Sequence, residues 1–391
     1  MNRPVESPAS GPPGPPRLSI VAAARHDEHG GPLLQRLECF LHSLFRQAER
    51  ARICLELVLV EWNPLPDRPS LREALQGISP PVGMNVRLLR VPPEVHQSFP
   101  HADRISFFQF IAKNTGIRSA RGEFVLATNV DVIFSDELFD HLASVPIHKN
   151  TIYRADRWDV EADLPAMIDP ADLPDFCRRH VQRVFTREGV YPAERYPAAR
   201  LALWEKRPSL AKIMAFVQFI MQPNSRPHWL LSPDSCNEKA RRRIGRTGLL
   251  LSAFRHLLHP PLPPIHLGAS GDFTLMAKEH WHALHGYPEW STFPIHMDSV
   301  LCLAAFYAGI QEIVLLDPMR VYHLSHDSPW GPAADWDGTL DDMQQSSGIE
   351  PIRIEQLVEW SQEMRRSSRP LIFNTEQWGL ETMELEEIMI Q

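Results

Sequence analysis

The chain has 391 residues, 43% of them apolar and 23% charged, with a formal net charge of −8. This is enough apolar chain for one large domain or two modest ones, and the acidic balance argues against a nucleic-acid partner held by phosphate neutralisation. Five scattered cysteines (Cys39, Cys54, Cys177, Cys236 and Cys302) form no CxxC or Cys/His cluster. Their pattern excludes a disulfide scaffold or a zinc finger and points to a reducing, cytoplasmic setting. No apolar run is long enough to predict a membrane-spanning helix, and the N-terminus has no apolar core of a secretory signal.

Residues 1–16 include six prolines and read as a disordered tail with almost nothing to bury. From residue 17 a βα alternation begins. Leu18 to Ala24 has strand length, and Pro32 to Ala51 places Leu34, Leu37, Phe40, Leu41 and Leu44 on one helical face. Further strands are predicted over Ile53–Val60, Val86–Val91, Glu123–Thr128 and Thr151–Arg154, with helices over Ile105–Arg118 and Ser135–Ser144. Residues 161–264 are proline-rich and show little strand signal. They read as a mainly helical insertion, with helices over Leu210–Met221 and Glu238–Leu258. The β pattern resumes over Gly271–Ala277, followed by a helix from His296 to Tyr307 and strands near Ile313–Leu316 and Arg320–Leu324. Residues 331–391 form a C-terminal extension, mostly helical from Glu350. Continuous apolar strands alternating with helices predict an α/β fold with a mostly parallel sheet covered on both faces. Such sheets bind ligands at the carboxyl ends of their strands.

The polar residues that follow each predicted strand are therefore the candidates for chemistry. Asn129-Val130-Asp131 follows the fourth strand, and a carboxylate there suits Mg²⁺ or Mn²⁺, which in turn can clamp a diphosphate. A strand-end turn capped by an Asx side chain fits the same triplet. Asp298 opens a predicted helix, where a carboxylate serves either the helix dipole or proton transfer. His323 and His326 lie at a strand end with the spacing His-x-x-His, and neutral imidazoles suit Mn²⁺. Arg25 and Asp27 end the first strand, Glu61-Trp62-Asn63 ends the second, and Arg154-Ala155-Asp156-Arg157 ends the fifth. The last group reads equally as phosphate or hydroxyl contacts or as a salt-bridged loop.

The stretch AKNTGIRSARGEFVLATNVD, Ala112 to Asp131, resembles the central signature of GT-A glycosyltransferases of the inverting, family-two type. Lys113, Asn114, Gly116, Ala120, Gly122 and Asp131 occupy the positions of that pattern, while Asn129 replaces the first residue of its Asp-x-Asp. GDFTLMAKEHWHALHGYPEW, Gly271 to Trp290, resembles the acceptor-side block of the same family, ending in Gly-aromatic-x-Glu. Asp298 precedes Gly309 by eleven residues, the family's spacing for its catalytic base, though Met297 replaces the usual preceding acid. The resemblance spans roughly residues 17–160 and 265–330. It implies a GT-A fold whose first part binds a nucleotide sugar and whose second part carries the acceptor side and the base.

The implied reaction is metal-dependent, inverting transfer from a nucleotide-diphosphate sugar, UDP-type favoured, to a glycan, lipid-linked or other hydroxyl acceptor. In that scheme Asp131 with His323 or His326 holds Mn²⁺ or Mg²⁺. Arg25, Asp27, Glu61, Lys113, Asn114 and Asn129 belong to the donor side, Asp272 and Glu289 face sugar hydroxyls, and Asp298 is the base. The losses at Asn129 and Met297 also fit a donor-binding pseudoenzyme. A sugar-1-phosphate nucleotidyltransferase shares the βα sandwich but would carry an arginine in its Gly-rich loop, which Gly30-Gly31-Pro32 lacks. The basic cluster Lys239, Arg241, Arg242, Arg243 and Arg246 precedes the apolar Leu249–Leu258 stretch. This 239–258 segment suits either a helix lying on the anionic inner face of a membrane or an amphipathic helix packed on the domain. Asn374 to Leu380 includes Trp378, a candidate anchor for the tail or a cover for the site.

Overall fold

A computed structural model describes residues 16–27, 32–160, 164–165, 168–187, 189–196, 262–324, 326 and 336–390. In chain order, the first half contains β1 (Leu18–Ala24), α1 (Leu33–Ala51), β2 (Leu55–Trp62), α2 (Leu71–Ala74), β3 (Met84–Val91) and α3 (Pro93–Gln97). It continues with α4 (Gln109–Ser119), β4 (Phe124–Ala127), β5 (Val132–Phe134), α5 (Asp136–Ser144), β6 (Thr151–Ala155) and β7 (Arg157–Val160). Next come α6 (Leu173–Arg179), β8 (Val181–Thr186), β9 (Gly189–Pro192) and a 3₁₀ turn at Ala193–Arg195. The last part has β10 (Thr274–Ala277), α7 (Lys278–Ala283), α8 (Met297–Tyr307), β11 (Gln311–Leu315), β12 (Val321–Leu324), α9 (Trp336–Ser347), α10 (Ile354–Ser367) and β13 (Glu386–Ile390).

One sheet runs β11-β6-β10-β4-β1-β2-β3-β13. β3, β2, β1 and β4 are mutually parallel, β10 lies antiparallel between β4 and β6, and β13 closes the β3 edge antiparallel. Every residue of β1 and β2 is buried, as expected for parallel strands covered on both faces. One face packs on Leu37, Phe40, Leu41 and Leu44 of α1 and on Leu138, Phe139 and Leu142 of α5. The other packs on Ile111, Ala112 and Ile117 of α4, Trp281 of α7, and the apolar runs of α8 and α10. The fold is thus α/β and flanked by helices, as the apolar strand pattern predicted, and its sheet is mixed because β10 and β13 enter antiparallel.

From β1 the chain builds outward to β2 and β3, then returns to place β4 on the other side of β1. Adjacent loops diverge at this switch of strand order, which opens a crevice at the carboxyl ends of β1 and β4.

A second sheet, β5-β12-β7-β8-β9, stands beside this crevice. Of its strands, β12 matches the predicted Arg320–Leu324 segment, while the others have little signal in the sequence. β7 reads RWDV and β8 reads VQRVFT, so charges interrupt the apolar signal on which strand prediction depends. The β8–β9 hairpin corrects the expectation of little strand in residues 161–264. The predicted helices Leu210–Met221 and Glu238–Leu258, with the 239–258 basic and apolar segment, lie outside the described residues. The C-terminal extension is helical in α9 and α10 but ends on the sheet as β13.

Candidate active site

Asp131 lies in the turn between β4 and β5. Its carbonyl accepts the Leu324 N–H at 2.9 Å, which fixes the turn against the end of β12. β12 pairs antiparallel with β5, placing His323 opposite Val132. Asp131 Oδ2 thereby lies 3.7 Å from His323 Nε2 and 3.4 Å from His326 Nε2. One ligand atom from each of the three residues falls within 4.8 Å of the others. Asp131 Oδ1 is buried with no hydrogen-bond partner among the described residues. An orphaned carboxylate oxygen beside two imidazoles is a donor set that fits Mn²⁺, and Mg²⁺ less fully. Burial works against the Asp131 charge, but His323, His326 and Arg36 outweigh it and hold the carboxyl well below the usual range. Burial and Arg157 work against a charged His323 ring, yet Asp131 and Asp159 keep its pKa above the ordinary imidazole value.

A polar chain leads from this cluster across the crevice. Asn129 Nδ2 donates to Asp272 Oδ1 at 2.6 Å, and Gln109 Nε2 donates to Asn129 Oδ1 at 2.7 Å. Arg157 Nη1 donates to Asp272 Oδ2 at 2.8 Å, and its Nε lies 2.9 Å from Asp159 Oδ1. Both oxygens of Asp272 are therefore engaged by protein. Arg154 is fully buried and donates to the Ser270 carbonyl and Thr274 Oγ1, clamping the turn before β10. Asp156 faces His266 and Tyr196. The Arg154–Arg157 stretch is a salt-bridged structural motif rather than a set of open cations.

Asp298 sits in the first turn of α8. Its Oδ2 accepts the Gly271 N–H at 2.7 Å and its Oδ1 accepts the Ser299 N–H at 2.8 Å. Burial raises its pKa, partly offset by those two amides and by Arg154. Lys113 is fully buried in α4 and donates to the Gly271 carbonyl at 2.8 Å. Desolvation lowers its pKa to about 8 despite the attraction of Asp272, Asp298 and Asp131. The Gly271-Asp272 turn thus joins Asp298 and Lys113 to Asn129 on one rim.

Arg25 Nη1 pairs with Asp27 Oδ2 at 2.6 Å and Arg25 Nε donates to the Asn63 carbonyl, which joins the loops after β1 and β2. Glu61 is fully buried, accepts the Leu71 N–H at 2.6 Å and lies 3.5 Å from Arg90. Burial raises its pKa. Asn114 and Glu289 meet at 2.9 Å but turn toward the C-terminal extension. Asn114 also exchanges hydrogen bonds with Tyr287, and Glu289 Oε1 accepts the Gly379 N–H at 2.7 Å. The fold therefore brings together Asp131, His323, His326, Asn129, Asp272, Lys113 and Asp298. It sets Arg25, Asp27 and Glu61 on the β1–β2 side, and Asn114 and Glu289 into a structural clamp. Gln109, Arg36 and Asp159 also belong to the surroundings of the site, and no motif in the sequence marks them. Asp159 alternates with Arg157 on β7, a period-2 signal visible only once that segment is recognised as a strand.

No protein-family model and no curated protein sequence matches the chain. Among solved structures, a mannosyltransferase from Pyrobaculum calidifontis, in complex with GDP-Man and Mn²⁺, is similar over 96% of this chain and 74% of its own. The two share 12% identity, at a TM-score of 0.39.

Proposed function

We propose that the protein is a metal-dependent glycosyltransferase that moves a sugar from a nucleotide-diphosphate donor to a hydroxyl acceptor. The observation that carries this reading is the convergence of Asp131, with its orphaned Oδ1, and the two imidazole Nε2 atoms at the carboxyl end of β4. Asp131, His323 and His326 would hold Mn²⁺ or Mg²⁺. When bound, the cation supplies Lewis acidity for the charge that develops on the departing diphosphate.

The chain's own residues account for the other tasks. Asn129, steadied between Gln109 and Asp272, presents an amide that can hydrogen-bond a ribose hydroxyl. The two loops that the Arg25–Asn63 hydrogen bond joins would take the base of the donor. Asp298, its pKa raised by burial, accepts the proton of the acceptor hydroxyl as that oxygen attacks the anomeric carbon. A single displacement of this kind inverts the anomeric configuration. A donor of the UDP type, a glycan or lipid-linked acceptor, and a cytoplasmic setting complete the proposal. Among the described residues no helix is long and apolar enough to cross a membrane.

A second reading, donor binding without transfer, draws on the two backbone amides that already engage both oxygens of Asp298.

Thermal melts with UDP, GDP, CMP and dTDP, each with Mn²⁺ or EDTA, test the donor site. Ligand at a hundred times its dissociation constant adds about 2.7 kcal/mol of stability. We expect one nucleotide to raise the melting temperature, and Asp131→Asn or EDTA to abolish that shift. A panel with no shift removes the reading. Sugar transfer from the matching donor then separates enzyme from binder.

A further inference from the structure

Asp159 is the most deeply buried carboxylate bordering the candidate metal cluster, with a side chain 1% exposed. It projects from β7, which runs parallel to β12 with Asp159 in register with His323. Its Oδ1 faces His323 Nδ1 at 3.4 Å, and both atoms are buried with no hydrogen-bond partner among the described residues. The opposite nitrogen, Nε2, is the one directed at Asp131. Two guanidiniums flank the same carboxylate: Arg157 Nε lies 2.9 Å from Oδ1, and Arg183 Nε pairs with Oδ2. Phe185 stacks under both arginines, with the Arg157 guanidinium 4.1 Å and that of Arg183 5.0 Å from the ring centroid.

We propose that Asp159 is a positioning residue that holds His323 as the Nδ1–H tautomer, so that Nε2 is the metal-ligating atom. This inference rests on the metal-dependent reading above. A ligating histidine ordinarily donates its second ring N–H to a fixed acceptor, which sets both its tautomer and its orientation. The strand register supplies that acceptor here, on a different strand from either imidazole. Through Arg157 the same carboxylate is tied to Asp272, and through Asp272 to Asn129. The metal ligand and the amide at the end of β4 therefore share one rigid frame.

Two measurements test the proposal. Nitrogen-15 NMR of the imidazole groups in the metal-free wild type, with the pH raised until the ring signals stop moving, reads the tautomer with no substitution made. Mn²⁺ titration followed by electron paramagnetic resonance reads affinity in the wild type, Asp159→Asn, Asp159→Glu and Asp131→Asn. We expect the Nδ1–H tautomer in the wild type and a shift toward Nε2–H in Asp159→Asn. We also expect that variant to bind Mn²⁺ about 10–100-fold more weakly, with partial recovery in Asp159→Glu. A merely structural Asp159 would lower the melting temperature of its variants without moving the tautomer. Either that result, an Nε2–H wild type, or wild-type Mn²⁺ affinity in a folded Asp159→Asn protein overturns the positioning role while leaving the metal site standing. Equal Mn²⁺ binding by wild type and Asp131→Asn, or none by either, overturns the metal reading itself and the positioning role with it.

Discussion

Asp298 is held at the start of α8 by the amides of Gly271 and Ser299, in surroundings that favour its protonated form. As general base it must be ionised, so transfer should decline as pH falls through a pKa raised from the ordinary aspartate value. A pH–rate profile measured at saturating donor checks this. Asp298→Asn should bind nucleotide almost as the wild type does while losing about 10²–10⁴-fold in turnover, read by calorimetry and steady-state rates. Undiminished turnover would remove the base assignment. The same shift has a consequence for stability. A carboxyl with a raised native pKa contributes most below the unfolded value and loses that contribution as pH rises through the folded one. The stability of Asp298→Asn relative to wild type should therefore improve from acidic to neutral pH, as paired denaturant titrations would show.

The elements explain how much of this was legible. In the sequence Gly116 and Gly122 stand out only as members of a family pattern, yet packing accounts for both. A Cβ on Gly116 of α4 would come 2.5 Å from Val21 Cγ1 and 3.0 Å from Val60 Cγ2, so this helix lies directly on β1 and β2. A Cβ on Gly122 would meet the Ser19 backbone nitrogen at 2.6 Å. Gly116→Ala should cost about 1–3 kcal/mol, measured by chemical denaturation, and should slacken the helix that carries Lys113 and Asn114. A loss below a few tenths would mean that α4 can retreat from the sheet. Strands β1, β2 and β4 were plain because burial on both faces writes itself as an uninterrupted apolar run. β5 is hidden because it has only three residues, and β7 and β8 because charges interrupt their apolar signal and each pairs with the other in the second sheet. The same division holds at the site. Asp131, His323 and His326 stand at strand ends that the sequence reveals, whereas Asp159 and Gln109 act through contacts that no local pattern records.

Over the whole molecule, the C-terminal extension serves as a fastening for the core. Trp378 is 2% exposed, Arg118 lies 5.0 Å over its ring and donates to its carbonyl, and Asn374 bonds the His285 and Tyr287 carbonyls. Farther on, β13 covers the β3 edge, and Glu387 closes on Arg87 at 2.7 Å. Trp378→Ala should lower stability by about 3–5 kcal/mol, visible in thermal melts, while leaving nucleotide selectivity unchanged. The site has a different relation to the chain, since Asp131 and His323 belong to segments far apart in sequence that meet where β5 pairs with β12. Any ion gripping both would close a very long loop, acting as a reversible staple across the second sheet. The protein's lifetime against proteolysis would then be set partly by the free metal concentration of its surroundings, and a metal-starved cell would clear the protein faster than a replete one.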